Sequence, residues 1–157
     1  MRTRAVVVAA GAAVAMEPVA ALTHRFVMHR RGWTWHRSHH ARPAGGLQRN
    51  DLYPALFAAA TVGAMALGAA RPRWRVLLPT GAGVTTYGAA YALVHDICLH
   101  GRLTGTPFVR GRYLHAVATA HRTHHASGGP PYGFLAPATA TTAPHHAARS
   151  ASMPRRP

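Results

Sequence analysis

The stretch HRFVMHRRGWTWHRSHH, residues 24–40, contains five histidines in seventeen positions and neither a cysteine nor a carboxylate. Two later stretches repeat this pattern, HDICLH at residues 95–100 and AHRTHHA at residues 120–126. Sorted by spacing, the histidines form four boxes: His24-x4-His29, His36-x2-His39-His40, His95-x4-His100 and His121-x2-His124-His125. The same two boxes therefore occur twice in the same order, which favours one shared site over scattered interfacial histidines.

The two kinds of box present their rings differently on a helix. At 3.6 residues per turn, positions i, i+3 and i+4 share a face, so His36, His39 and His40 point to one side, and the second such box behaves alike. Positions i and i+5 are about 140° apart on a regular α-helix. The x4 pairs therefore bind two different metals, or bind one metal through a helix that frays at the membrane surface; the spacing leaves both alternatives open.

Imidazole is a good ligand for iron, copper, nickel and zinc, so the histidine count does not identify the metal. Ten clustered histidines exceed the three or four that a single zinc ion uses, and they favour a binuclear centre. The chain has one cysteine, Cys98, and three carboxylates, Glu17, Asp51 and Asp96. It therefore cannot build a thiolate zinc site or a glutamate-ligated di-iron site of the four-helix-bundle type.

Apolar runs surround the histidine boxes. Residues 5–23, 52–70 and 76–94 are each long enough to cross a bilayer. The fold class predicted is all-α, a polytopic membrane protein with three transmembrane helices, or four if the weaker run 132–144 also crosses. A secretory signal is the alternative for the first run, with MRTR as its basic start, but the two later runs argue against it. Residues 1–137 are predicted as one membrane-embedded domain and residues 138–157 as a disordered tail.

Charge predicts the orientation. The formal net charge is +15, with eighteen basic residues against three acidic ones, which favours anionic partners. With three crossings and an Arg-rich turn at 71–75, every histidine falls on one side of the membrane. That side also carries most arginines, so the histidine-rich cap is predicted to face the cytoplasm from the cytoplasmic membrane. Nucleic-acid binding would rest on charge alone, and the spanning runs argue against it.

The motifs resemble those of β-carotene 3-hydroxylases, the carotenoid branch of the histidine-box fatty acid hydroxylase and sterol desaturase superfamily. The resemblance extends from Met16 to Pro137. It is carried by MEPVAALTHRFVMHRRGWTWHRSHH (16–40), NDLY (50–53), YALVHDICLH (91–100), GRYL (111–114), AHRTHH (120–125) and PYGFLAP (131–137).

The resemblance implies a non-haem centre of two iron ions. The histidines that would surround it are His24, His29, His36, His39, His40, His95, His100, His121, His124 and His125. It further implies insertion of one O2-derived oxygen at C3 of a β-ionone ring, from β-carotene to β-cryptoxanthin and zeaxanthin, with ketolated carotenoids also substrates of some members. The chain has no dinucleotide-binding G-x-G-x-x-G, so an external electron donor is expected, and the resemblance implies reduced ferredoxin with its reductase. The carotenoid substrate is expected to come from the membrane lipid.

Several residues outside the boxes are candidates for supporting roles. Asn50, Asp51 and Asp96 could hydrogen-bond a ligating imidazole and set its tautomer, although helix capping by Asp51 and solvation of Asp96 are equally plausible. Trp33 and Trp35 are candidates for a ring-binding groove or for interfacial anchoring. The remaining histidines, His115, His145 and His146, are excluded from the site.

Two other functions fit part of the pattern. The first is hydroxylation or desaturation of another lipid, a fatty acid or a sterol, by the same kind of centre; the NDLY and PYGFL segments argue against it. The second is a non-enzymatic membrane metal-binding or transport protein. Such a protein would be expected to carry polar residues along its spans, and only Glu17 lies within one.

Overall fold

The computed structural model describes residues 2–41, 46–103, 105 and 107–136. Within these ranges the chain is helical and has no β-strand, which confirms the predicted all-α class. The five α-helices are α1 (Arg2–Thr23), α2 (Trp33–Ala41), α3 (Leu52–Ala70), α4 (Leu77–Tyr91) and α5 (Gly111–Ser127). Short 3-10 turns at Arg49–Asp51 and Pro72–Trp74 precede α3 and α4.

Two π-helical segments continue the long helices into the histidine boxes. His24–Arg31 follows α1, and Ala92–Leu99 follows α4. In each segment an i to i+5 hydrogen bond closes the wider turn: Gly32 N–H donates to the Val27 carbonyl at 2.9 Å, and His100 N–H donates to the His95 carbonyl at 3.0 Å. Such segments are rare and occur mostly at functional sites.

The predicted spans correspond to α1, α3 and α4. By length and composition, Arg2–Arg31 and Arg49–Ala70 are capable of crossing a membrane. No residue of α1 is buried, and large apolar side chains such as Val14 and Val62 are 76% and 67% exposed. An apolar surface of this extent is unusual on a soluble protein and suits contact with lipid. The third crossing by α4, and the number of spans, remain predictions.

Small residues set the distances between these helices. A Cβ atom at Gly83 of α4 would collide with the Ala9 carbonyl oxygen and the Ala12 side chain of α1. On the same helix, a Cβ atom at Gly81 would collide with Met65 of α3. These glycines therefore allow α4 to lie against both neighbours, as small residues do at helix contacts within lipid.

Helices α2 and α5 carry the two His-x2-His-His boxes and lie beyond the ends of the long helices. α5 ends at Gly128, whose φ of 66° is the left-handed conformation that glycine adopts readily. The chain is then non-helical, and residues 132–136 are the described part of the weak fourth run 132–144. The rest of that run and the tail predicted at 138–157 lie outside the described residues.

Candidate metal centre

The histidines of the four boxes converge in two groups. In each group every residue offers one ligand atom, and these atoms lie within 4.8 Å of one another. We call the first set cluster 1 and the second set cluster 2. Cluster 1 consists of His24, His29, His36, His40 and His124, and cluster 2 consists of His39, His95, His100 and His121.

His125, the tenth predicted histidine, lies between the two clusters. Its Nε2 atom is 3.1 Å from His39 Nε2 of cluster 2. Its ring is stacked on that of His40, with 4.3 Å between centroids, and its centroid is also 4.3 Å from that of His121. The structure thus brings all ten predicted histidines together, nine in the clusters and one against both.

Each cluster contains one histidine from the opposite half of the chain. Cluster 1 takes His24, His29, His36 and His40 from the first half of the chain and adds His124 from α5. Cluster 2 takes its other members from the second half and adds His39 from α2. His39 and His124 are the middle residues of the two His-x2-His-His boxes, so the two halves contribute in the same way. By this correspondence His125 is the counterpart of His40.

The π-helical segments explain the x4 pairs. A π-helical turn places residue i+5 close to residue i, and His24 and His29 belong to one cluster, as do His95 and His100. In the second pair the i to i+5 hydrogen bond joins the two histidines themselves. A regular α-helix would have separated each pair by about 140°. Both members of a pair therefore face the same cluster, through a change in helix type rather than through fraying.

Hydrogen bonds at Nδ1 determine which ring nitrogen is free to bind a metal. His24 Nδ1 donates to the Tyr132 carbonyl at 2.9 Å, and His124 Nδ1 donates to the Gly129 carbonyl at 2.6 Å. His36 Nδ1 donates to Asn50 Oδ1 at 2.7 Å, and His95 Nδ1 donates to Asp96 Oδ1 at 2.8 Å. A neutral imidazole has only one N–H, so all four present an Nε2 lone pair to the clusters.

These lone pairs are buried and turned toward other nitrogens. His24, His36, His95 and His124 are the largest fully buried side chains among the described residues. His24 Nε2 lies 2.9 Å from His36 Nε2, although neither atom carries a proton in the neutral rings. His95 Nε2 is buried and has no hydrogen-bond partner. Buried acceptors in this state are costly unless a cation satisfies them.

The nitrogen spacing fits a bound metal ion. Histidine nitrogens lie about 2.1 Å from zinc, and two such ligands at right angles are then about 3.0 Å apart. The Nε2–Nε2 distances are 2.9 Å for His24–His36, 3.0 Å for His29–His124, 3.2 Å for His36–His40, 2.7 Å for His100–His121 and 3.1 Å for His39–His125. The donor set therefore fits one metal in each cluster.

Burial favours the neutral form, which binds a metal, in the histidines His36, His39, His40, His100, His121 and His125. It lowers the pKa of His40 to about 4, and those of His36 and His100 to about 3. It lowers the pKa of His125 to about 2 and holds the pKa values of His39 and His121 well below the usual range. Neighbouring histidines lower the pKa values further, because a second positive charge nearby is unfavourable.

Two of the predicted supporting residues contact a clustered histidine. The side chains of Asn50 and Asp96 accept the Nδ1–H bonds of His36 and His95. The third, Asp51, instead forms a bidentate ion pair with Arg102, with both N···O distances at 2.6 Å, and accepts a hydrogen bond from Gln48 N–H. Arg102 also approaches Asp96 at 3.8 Å, so Arg102 lies between Asp51 and the carboxylate that contacts His95.

Sequence reasoning missed the role of Glu17. Its carboxylate accepts hydrogen bonds from three backbone N–H groups, of Phe134, Leu135 and Ala136, at 2.9 to 3.0 Å, and from the Tyr87 hydroxyl at 2.7 Å. This holds residues 131–136 over the clusters, where the Phe134 ring stacks on His24 at 4.8 Å. The sequence feature that could have indicated this role is that Glu17 is the single acidic residue in an apolar run.

The structure also describes the positions of the two candidate tryptophans and of one of the three excluded histidines. The Trp33 ring centroid is 5.4 Å from those of His29 and His40, so Trp33 packs against cluster 1. The Trp35 ring lies 5.8 Å from Tyr53. His115 is exposed on α5, and His145 and His146 lie outside the described residues.

The chain is similar in sequence to known β-carotene hydroxylases. The chain is 43% identical over 116 residues to a β-carotene hydroxylase of Pseudescherichia vulneris, covering 74% of this chain and 65% of that protein. It is 41% identical over 126 residues to a β-carotene hydroxylase of Pantoea ananas, covering 78% of this chain and 71% of that protein.

A more distant match is a chloroplastic β-carotene 3-hydroxylase of Arabidopsis thaliana, at 37% identity over 135 residues, covering 81% of this chain and 43% of that protein. No family model and no solved structure matches the chain. The identity and coverage of the bacterial relatives confirm the predicted resemblance, and the chain belongs to the β-carotene hydroxylase family.

Proposed function

We propose that this chain hydroxylates C3 of carotenoid β-ionone rings at a centre of two non-haem iron ions, one in each histidine cluster. The observation that carries the proposal is the set of buried Nε2 lone pairs in two adjacent groups. Family membership supports iron as the metal and a carotenoid as the substrate. The proposed substrates are β-carotene and β-cryptoxanthin, and ketolated carotenoids are further candidates.

Bound iron would supply the O2 activation that an unactivated ring C–H bond requires. The reaction consumes one O2, two electrons and two protons, and it yields one C3 hydroxyl group and one water. The chain's own contribution is to hold ten imidazoles in place and to fix their tautomers. His24, His36, His95 and His124 are kept in the Nδ1–H form by their partners, which leaves Nε2 for the metal.

Residues around the clusters also exclude water. Phe134 stacks on His24 and lies 5.3 Å from His95, whose other face stacks on Tyr91 at 4.6 Å. Trp33 covers His29 and His40. These aromatic side chains shield the centre from solvent. Their apolar surfaces are suited to contact with hydrocarbon.

The electron donor is proposed to be a reduced ferredoxin with its reductase. Arginines near the clusters, including Arg30, Arg37 and Arg122, are exposed. An exposed basic surface would attract an acidic redox protein and speed its association. The proposed orientation places this surface and the clusters in the cytoplasm, with the spans in the cytoplasmic membrane, as the distribution of arginines favours.

Pigment analysis in cells that produce β-carotene tests the proposal, with O2 and a ferredoxin system present. The wild-type chain should convert β-carotene to β-cryptoxanthin and zeaxanthin, and the purified protein should contain iron. His39→Ala and His124→Ala, the two exchanged histidines, should each lower iron content and abolish conversion. His115→Ala is the control, since His115 lies outside both clusters, and it should behave as wild type.

Two results would contradict the proposal. Unchanged β-carotene with iron-loaded wild-type protein in the membrane would redirect the search to ketolated carotenoids and then to other lipids. Full conversion by either exchanged-histidine variant would show that the clusters are not the reaction centre.

A further inference from the structure

An elongated cavity of about 440 Å³ lies between α3 and α4, with α1 forming its back wall. Along α4 its lining residues recur every three or four positions, from Val84 through Gly88 to Asp96. That distance is roughly 18 Å along a helix at 1.5 Å per residue. The volume lies in the range of about 300–1,000 Å³ typical of small-molecule pockets.

The cavity exists because α3 and α4 separate toward the clusters. At the hairpin end the two helices touch closely: a Cβ atom at Gly68 would meet Leu77, and one at Gly81 would collide with Met65. Nearer the clusters, Gly88 of α4 has no atom of another residue within 4 Å of where its Cβ would lie. The helix pair therefore opens into a groove on the side of the metal centre.

The inner end of the groove reaches a hydrogen-bond partner of each cluster. Asn50 and Asp96 line the cavity. Asn50 hydrogen-bonds His36 of cluster 1, and Asp96 hydrogen-bonds His95 of cluster 2. A molecule at this end would touch Asn50 and Asp96, so that one of these residues and its histidine would lie between it and each candidate metal position.

The groove is largely apolar, and three of the hydroxyl groups in its walls donate to partners. Tyr53 donates to the Gly32 carbonyl, Tyr87 donates to Glu17, and Thr61 donates to the Phe57 carbonyl. These side chains therefore present rings and methyl groups to the cavity. At its outer end, Val62 and Thr85 line the groove and are also exposed on the long helices, so the groove opens sideways on the lipid-facing surface.

We propose that this groove is the substrate channel: the cyclic end group lies at Asn50 and Asp96, and the adjoining polyene chain runs out between α3 and α4 into the lipid. The inference rests on the proposed function. An elongated apolar groove open to the bilayer fits a rigid hydrocarbon that is dissolved there, and a water-soluble substrate would have no path along it. Gly88 keeps the channel open at its middle.

Substitution at Gly88 tests the channel without disturbing helix packing, because Gly88 lines the groove, is exposed, and has open space around its Cβ position. The expected result for Gly88→Leu is at least a tenfold loss of conversion and less β-carotene co-purifying per protein, with iron content and membrane insertion unchanged. Ala58→Leu, on the α3 wall of the same cavity, should have the same effect. Gly63→Leu is the matched control, since Gly63 lies on α3 outside the cavity with open space around it.

Each result decides the proposal. Full conversion and full pigment retention by iron-loaded Gly88→Leu and Ala58→Leu would overturn it while leaving the hydroxylase function intact. Loss of pigment in both variants but not in Gly63→Leu would support it. If the wild-type chain retains β-carotene without converting it, the proposed function fails, and pigment retention by the variants still tests the channel.

Discussion

Four histidines carry a proton on Nδ1 because a carbonyl or carboxylate oxygen accepts it, and this leaves Nε2 free. Two of these acceptors are backbone carbonyls, of Tyr132 and Gly129, and two are side chains, of Asn50 and Asp96. Partners of this kind orient a metal ligand and make it more basic. The residues around the histidine boxes therefore contribute to metal binding without touching the metal.

Asn50→Leu should weaken iron binding by about 10- to 100-fold, the usual effect of losing such a partner. The substitution removes the acceptor of the His36 Nδ1–H, which lies 2.7 Å from Asn50 Oδ1. Competition between the purified protein and a chelator measures the change. Asn50→Asp keeps an acceptor oxygen and should restore most of the affinity. Wild-type iron affinity in Asn50→Leu would show that this hydrogen bond does not support the site.

The π-helical segments are the elements that turn the sequence repeat into a site. Each begins where a long helix ends and brings the two histidines of an x4 box into one cluster. The following helices α2 and α5 each divide a His-x2-His-His box between the clusters. Neighbouring rings on one helical face thus belong to two different clusters.

Glu17 connects α1 to the segment that covers the clusters, and its removal should loosen that segment. Glu17→Leu would leave the N–H groups of residues 134–136 without their acceptor, where hydrogen bonds to a charged group each contribute about 1.5–3 kcal/mol. Hydrogen exchange of residues 129–136 should accelerate at least tenfold, and conversion of carotenoid should fall with it.

Tyr87→Phe is the control for this role of Glu17. It removes only the hydroxyl group that donates to Glu17 Oε2 and leaves the carboxylate in place, so exchange in residues 129–136 should change little. Equal exchange in Glu17→Leu and wild type would contradict the proposed role of Glu17.

The described part of the chain contains two similar units, each with a helix, a π-helical segment and a helix that bears a His-x2-His-His box. Contacts between α1 and α4 join the halves, and they depend on small residues such as Gly83. Since each cluster takes a histidine from the other half, the relative position of α1 and α4 determines the geometry of both clusters. The packing of α1 against α4 and the geometry of the histidine clusters are therefore coupled.

Gly83→Ala should destabilise this contact, because the added methyl group would collide with the Ala9 carbonyl and the Ala12 side chain. Overpacking of this kind typically costs about 1–3 kcal/mol. Thermal unfolding in detergent should show a lower Tm, and iron should be released at a lower temperature. Gly11→Ala on α1 is the control, since nothing lies within 4 Å of its Cβ position. An unchanged Tm in Gly83→Ala would exclude a tight α1–α4 contact at this point.

The sequence determined the helical class, the positions of the long helices and the ten histidines of the site, because apolar runs and histidine spacing are local patterns. The sequence also indicated Asn50, which lies near the start of a long helix, and Asp96, which follows His95 of a histidine box. Only the tertiary structure decided how the histidines divide: His39 and His124 each join the cluster of the opposite half. It also placed Glu17 and the groove at Gly88, since both depend on how helices distant in the sequence pack together.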